Sequence, residues 1–226
     1  MREAFFKHIK SSAVAKLVGN SILENFSGKI SNVVVAQWNG ITYIRSLPTQ
    51  SKKRKPSEKQ LHNRLRFQIA NQVVTIFRSL FKLSIEEVKG QSASSSAMSK
   101  LLQDAITPDL DIDFSRLMVS RGTLPPATGA KVESIEPGVL KFQWTDEVSV
   151  NNKKKDYDKN QVLLVAYIQH EGQLFYDLHG VKRSALSGEL KIEGHSEKKL
   201  HTWICFRSDD FKLKSDSVYV GQVELK

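Results

Sequence analysis

The sequence of 226 residues contains a single cysteine, Cys205. One cysteine excludes an internal disulfide framework and any metal site built from cysteines alone. Its neighbours form the apolar run Trp203-Ile204-Cys205-Phe206, which is typical of a buried strand. We therefore predict an unreactive thiol in the hydrophobic core.

Long apolar runs are also lacking. No stretch approaches the roughly 20 apolar residues that a membrane-spanning helix requires. The segment Met1–Lys10 has mixed charges and no continuous apolar region followed by a cleavage site of small residues, which does not fit a secretory signal peptide. These features favour a cytoplasmic protein without a transmembrane segment.

Motifs of catalysis and cofactor binding are absent as well. The six histidines form no HExxH arrangement, and the sequence contains neither GxGxxG nor GxxxxGK[ST]. Asp109, Asp111 and Asp113 alternate with apolar residues, which predicts a strand with one solvated face. Three carboxylates on that face could attract a divalent cation, but no closing glutamate follows as an EF-hand requires. We predict no catalytic residues, no metal and no cofactor, and hence no enzyme.

Acidic residues are scarce in the first half of the chain. Residues 1–126 carry 19 Lys and Arg against 9 Asp and Glu, whereas residues 127–226 carry 15 of each. Between Lys29 and Lys82 there are 11 basic residues and one acid, Glu58. This imbalance indicates a polyanionic partner, either nucleic acid bound without sequence specificity or an acidic protein surface. The alternative is a solvated basic face that only aids solubility.

A β-hairpin is the clearest local structure in this basic half. The β-rich runs Gly28–Trp38 and Ile41–Arg45 are joined by Asn39-Gly40, the dipeptide that a type I′ turn prefers. Trp38 and Tyr43 lie near the turn. They could stack on bases, as aromatic side chains do in single-strand binders, or pack against each other across the strands.

A basic loop and a helix follow the hairpin. Ser57 and Gln60 have the spacing of a capping box, which predicts a helix start. Seven apolar residues at three- or four-residue steps form a stripe along this helix, and Phe67, Val74, Phe77 and Phe81 widen it. The stripe consists of Leu61, Leu65, Ile69, Val73, Ile76, Leu80 and Leu83. So broad an apolar surface needs partners on two sides, and we expect the hairpin and a second protomer, hence a homo-oligomer.

The loop and the helix also supply the candidate binding residues. Four adjacent cations in the loop repel one another unless they are solvated or neutralised. Each cation that contacts a phosphate adds about one unit to the salt dependence of binding. The candidate nucleic-acid or polyanion-binding residues are Lys52, Lys53, Arg54, Lys55, Lys59, Arg64 and Arg66. Upstream, roughly residues 2–18 have the spacing of a short amphipathic helix.

The pattern changes after a proline-rich segment. Residues 124–130 include Pro125-Pro126 and are typical of a linker. Beyond it, about seven short strands separated by turns occupy 131–226, the inventory of an immunoglobulin or fibronectin type III sandwich, with Trp144 and Trp203 as core residues. The predicted protein is α+β, with a basic hairpin-plus-helix region at 1–123 and an all-β sandwich at 131–226.

Several segments together resemble a known family. These are Phe26–Val34, Trp38-Asn39-Gly40, Tyr43–Pro48, Gln60–Phe67, Phe114-Ser115, Ser120–Pro125, Phe142-Gln143-Trp144 and Ser217–Gly221. They are similar to a family of uncharacterised proteins from Bacteroidota, over nearly the whole chain after about residue 20. The resemblance implies a bacterial source and this two-part layout, but no activity and no functional residues.

Three functions are consistent with these patterns. In the first, a non-catalytic binding protein holds a polyanion with its basic half and contacts proteins with its sandwich. In the second, the chain is a self-assembling structural subunit of a phage-like or mobile-element particle, and would be found in a virion. The third, an enzyme of unknown type, has the least support.

Overall fold

The computed structural model describes residues 14–16, 27–38, 41–47, 55–86, 91–146, 157–177, 180–195 and 197–226. The chain divides into two compact units, Met1–Pro56 and Ser57–Lys226. The first is an antiparallel sheet, and the second combines helices with a β-sandwich. The predicted α+β class therefore holds.

The first unit is a four-stranded antiparallel sheet of order β1-β4-β3-β2. Its strands are β1 (Val14–Lys16), β2 (Gly28–Ile30), β3 (Val33–Trp38) and β4 (Ile41–Ser46). Strands β3 and β4 pair with Trp38 opposite Ile41, so the predicted hairpin is confirmed. The first predicted run is interrupted at Ser31, whose φ of 52° turns the chain, and β2 folds back onto β3.

The amphipathic helix predicted at residues 2–18 does not agree with this sheet. Residues 14–16 of that segment form β1, which pairs with β4 so that Val14 lies opposite Arg45. Pairing with the edge of β4 satisfies backbone groups that a helix would satisfy internally. The rest of the predicted helix lies outside the described residues.

Helix α1 (Glu58–Ile76) begins as the sequence predicts. The Ser57 hydroxyl accepts a hydrogen bond from the Gln60 amide at 3.4 Å, and the Gln60 side-chain oxygen accepts one from the Ser57 amide at 3.0 Å, so the capping box is confirmed. The helix ends at Ile76, and α2 (Arg78–Ser84) follows after Phe77. Helix α3 (Ala93–Lys100) continues into a π-helical turn at Leu101–Ala105.

Only part of the predicted apolar stripe faces the core. Val73, Phe77 and Leu80 are buried, but Leu61 and Leu65 remain 46% and 48% exposed. With its C-terminal half, where the buried residues lie, the helix packs against α3 and against the larger sheet of the β-sandwich in the same unit. None of the helices among the described residues is long and apolar enough to cross a membrane.

Seven strands form a β-sandwich, as the spacing of apolar runs predicts. They are β5 (Thr128–Glu136), β6 (Val139–Thr145), β7 (Gln161–Ile168), β8 (Gln173–Tyr176), β9 (Ser187–Lys191), β10 (Lys199–Arg207) and β11 (Val218–Glu224). One sheet has the order β11-β10-β7-β8 and the other β5-β6-β9, and all their pairings are antiparallel.

Two cores lie on opposite faces of the larger sheet. Leu140, Phe142 and Trp144 face Leu164 and other residues between the two sheets. On the other face, the helices pack against a second set of side chains from β7 and β10. That set is Leu163, Val165, Tyr167, Trp203 and Cys205. Burial on both faces explains why β7 reads as an unbroken apolar run, and both tryptophans predicted for the core are buried.

The structure divides the chain at a different place from the predicted 124–130 linker. Leu124 is buried and its amide donates to the Lys214 carbonyl at 2.8 Å. The Pro125 carbonyl accepts from the Arg183 guanidinium at 2.9 Å, and Thr128 already begins β5. The helices therefore group with the sandwich in Ser57–Lys226, while the sheet of Met1–Pro56 is compact by itself.

The strand predicted at Asp109–Phe114 is wrong. Ile112 forms a single bridge with Ile106, and the chain then enters a 3₁₀ turn at Phe114–Arg116. The Asp113 carboxylate caps this turn by accepting hydrogen bonds from the Ser115 hydroxyl and amide. These two bonds, together with the positive charge of Arg116, lower the pKa of Asp113. Local hydrogen bonding by aspartate competes with strand formation here.

We expect Cys205 to be unreactive in the native protein, as its burial indicates. The thiol is fully enclosed, and burial raises the pKa of Cys205 to about 12. The reactive thiolate is therefore almost absent at pH 8. Labelling with a thiol reagent at pH 8 should leave the native protein unmodified and add one label per chain in denaturant. Rapid labelling without denaturant would contradict the buried assignment.

Candidate polyanion-binding face

Two cations share an exposed face of the first unit. Lys29 on β2 and Arg45 on β4 are both opposite Val34, which lies on the strand between them. Residues directly opposite in an antiparallel sheet point to the same face. Lys29 and Arg45 are exposed and Val34 is half-buried. Two strand spacings of about 4.8 Å place the backbones of the two cationic residues roughly 10 Å apart.

An aromatic residue lies on the same face. Tyr43 is two residues from Arg45 on β4, so their side chains point to the same side of the sheet. Tyr43 is half-buried, and its register partners are Ala36 on β3 and Lys16 on β1. Trp38 has Ile41 as its register partner, so Trp38 and Tyr43 are not a directly opposed pair.

The reverse face of this sheet is the buried one. Val35 and Thr42 are 3% and 6% exposed, and the Gln37 side-chain amide donates to the Thr42 hydroxyl at 3.3 Å. These residues alternate with Val34 and Tyr43 along β3 and β4. The sheet therefore has one side with buried residues and one side that presents two exposed cations and a half-buried phenol ring.

No carboxylate neighbours this face in the sequence. Residues 25–57 contain six Lys or Arg and no Asp or Glu. The ion pairs formed among described residues lie in the second unit. Among the described residues, neither Lys29 nor Arg45 forms an ion pair.

The structure places the predicted binding residues in different surroundings. Lys52, Lys53 and Arg54 lie outside the described residues, and Lys55 is exposed beside them in the sequence. On α1, Lys59 and Arg64 are exposed and five residues apart, which places them about 140° apart around the helix axis. These two cations point in different directions and do not form a strip along α1.

Arg66 is already engaged within the protein. Its guanidinium donates to the Leu102 carbonyl at 2.7 Å, and the side chain is partly buried. Leu102 lies in the π-helical turn that follows α3, so Arg66 links α1 to that turn. The geometry assigns Arg66 to helix packing, which the charge count alone does not reveal.

The cations of the sheet face were absent from the predicted binding set. Lys29 and Arg45 are 16 positions apart, and only the strand register brings them to one face. Finding them from sequence requires the turn at Ser31-Asn32, which carries neither glycine nor proline. No group of three or more His, Cys, Asp or Glu side chains suited to a metal ion occurs among the described residues.

A known family model matches most of the chain. Residues 25–221 match the model of a family of unknown function, DUF6266. The chain belongs to this family. No curated protein matches it. The resemblance inferred from sequence to an uncharacterised family is thus confirmed at this level, and the Bacteroidota origin stays a prediction.

One segment that carried the resemblance, Ser120–Pro125, has a structural role in this DUF6266 member. The Ser120 hydroxyl lies 2.8 Å from the Ser84 carbonyl oxygen and 2.7 Å from the Ser215 carbonyl oxygen, and its one proton ties α2 to the β10–β11 connection. At Gly122 an added Cβ would collide with the backbone carbonyl of Lys214. These positions hold the helices to the sandwich and are not part of the cationic face.

Proposed function

We propose that this protein is a non-catalytic polyanion-binding protein whose ligand is a nucleic acid held through its phosphates. The observation that carries the proposal is the exposed face of the first unit, where Lys29, Arg45 and Tyr43 lie together. The acid-free segment that contains this face continues into the cations at 52–55.

The composition of the face favours nucleic acid over an acidic protein. Lys29 and Arg45 each offer a charge-assisted hydrogen bond to a phosphate oxygen. Tyr43 between the cations and the hairpin turn offers a ring on which a base can stack, and stacking is tolerant of sequence. An acidic protein surface would satisfy the cations but would leave the ring without a specific role.

The expected consequence of removing the cations is a weaker and less salt-sensitive complex. In the variant Lys29→Glu with Arg45→Glu, two phosphate contacts are lost, and the slope of log K against log salt should decrease by about two units. The measurement is fluorescence anisotropy of a labelled, mixed-sequence DNA strand across a salt series. A matched control is Lys131→Glu with Lys226→Glu, which makes the same charge change at exposed sites of the sandwich.

Comparison of the two variants decides between a local site and general attraction. Equal loss of affinity in both would show that only net charge matters and would contradict the proposed face. Tyr43→Ala should weaken binding to single-stranded DNA by about 1–3 kcal/mol. Binding to duplex DNA should weaken much less, because only unpaired bases can stack on the ring. Binding that never depends on salt would also reject the proposal.

For the second unit we propose a fibronectin type III-like sandwich that contacts proteins. The fourth strand, β8, pairs with β7 in the larger sheet. In a constant-type immunoglobulin domain the fourth strand instead joins the sheet of the first, second and fifth strands. This strand order supports the fibronectin variant of the predicted sandwich, a fold that presents loops at both ends.

A further inference from the structure

One end of the sandwich gathers three connections. The first joins the end of β6 to the start of β7, the second joins β8 to β9, and the third joins β10 to β11. Most of the first connection lies outside the described residues, and the second and third connections are residues 177–186 and 207–217. The second is held to β7 by the bond from the Val162 amide to the Val181 carbonyl, at 2.9 Å. Gln161 at the start of β7 accepts from the Arg207 guanidinium at the end of β10.

Large apolar side chains are exposed at this end. Phe211 is 52% exposed, Leu186 and Leu213 are each 46% exposed, and Val181 is 41% exposed. The Arg207 guanidinium lies over the Phe211 ring at 4.3 Å from its centroid, which holds the ring in place. Exposed apolar side chains that are grouped at one end of a fold are characteristic of contact surfaces.

Backbone conformation gives an independent reason to assign a role to two of these residues. Leu186 and Phe211 have φ values of 56° and 60°, in the left-handed region where glycine and asparagine are favoured. A bulky residue there is strained by about 1 kcal/mol or more. If only the stability of the isolated fold mattered, asparagine would be favoured at both positions. Because both side chains are exposed, neither gains burial that would offset the backbone strain.

The charge at this end limits the type of partner. The second and third connections contain five Lys or Arg and four Asp or Glu, so they hold only one unit of the chain's net charge of +10. An anionic membrane or an acidic protein would select the basic parts of the chain instead. Two copies of this chain repel each other least where the charge is balanced and both signs are available for mutual pairing.

We propose that the loop end of the sandwich is a self-association surface, at which two copies of this chain meet with Leu186 and Phe211 as the apolar anchors. This inference rests on the proposed protein-contact role of the sandwich and is independent of polyanion binding. An isologous contact presents each anchor twice, once from each protomer. Because Arg207 holds the Phe211 ring in place before association, this anchor loses little conformational entropy on binding.

The test replaces both anchors with the residue that their backbone prefers. In Leu186→Asn with Phe211→Asn, the monomer should be at least as resistant to urea as the wild type. Its dimer dissociation constant should rise by about 30-fold or more for each anchor removed. Sedimentation velocity of the full chain over a wide concentration range measures the association. Urea unfolding at low concentration measures the stability of the monomer.

A control distinguishes this surface from any other apolar surface. Leu61→Gln with Leu65→Gln removes two equally exposed side chains from α1 and should leave the dissociation constant unchanged. A wild-type protein that stays monomeric at every concentration would overturn the inference, as would an asparagine variant that associates like the wild type. DNA binding measured on the same variant should not change, which separates failure here from failure of the polyanion proposal.

Discussion

Replacing Phe77 with alanine should lower the free energy of unfolding of the second unit by about 3–5 kcal/mol. Phe77 is fully buried between α1 and α2. Its ring lies 5.1 Å from the Tyr167 ring and 6.1 Å from the Trp203 ring, centroid to centroid. Truncation would leave a cavity between the helices and the larger sheet. Because both elements line that cavity, we expect helical and sandwich signals to be lost together.

Urea denaturation followed by far-ultraviolet circular dichroism and tryptophan fluorescence tests this expectation. The matched control is Phe67→Ala, the same chemical change on the same helix at a residue that is 55% exposed. We expect a change within about 1 kcal/mol for the control. Two separate transitions in Phe77→Ala, with the helices lost before the sandwich, would show that the three layers are not cooperative.

Replacing Arg183 with methionine should be almost as damaging. The Arg183 guanidinium is completely buried, with its Nε atom 2.9 Å from a carboxylate oxygen of Asp146, which is itself nearly buried. It also lies over the Phe206 ring, 4.1 Å from the centroid. Removing one partner of a buried ion pair leaves a charge in a medium that solvates it poorly. We expect a loss of about 3–5 kcal/mol in the free energy of unfolding.

A second substitution identifies the cause of that loss. In Arg183→Met with Asp146→Asn, the charge left behind is neutralised, and at least about 1 kcal/mol should be recovered relative to the single variant. Lys182→Met changes the exposed neighbour of Arg183 and should alter stability by no more than about 0.5 kcal/mol. A double variant less stable than Arg183→Met would show that methionine packing, and not charge, limits stability.

The strands of the sandwich were predictable because their apolar runs alternate or end in turns. The packing of the helices against the sandwich could not be predicted in the same way. The run at β7 and the broad apolar stripe of α1 each indicate burial on more than one side, and sequence shows only that such surfaces need partners. In the structure part of the α1–α2 stripe and the outer face of β7 cover each other. From the sequence we expected the hairpin and a second protomer as the partners of this stripe.

Features that depend on neighbouring residues could be predicted from the sequence, and features that depend on distant residues could not. The capping box at Ser57 acts over three residues, so a motif suffices to predict it. The cationic face depends on the register between β2 and β4, and the turn at Ser31 has no glycine to mark it. The burial of Arg183 depends on Asp146, which is 37 positions away. No local pattern predicts a contact at that separation.

Burial of β7 and β10 on both faces has a consequence for how this chain can be divided in evolution or in the laboratory. A segment that began at β5 would carry a sheet whose outer surface bears Leu163, Val165, Tyr167 and Trp203. Without the helices these side chains would meet water as one apolar sheet face, the type of surface that promotes aggregation. The sandwich is therefore not a transferable module, and the helices that precede it must be inherited with it.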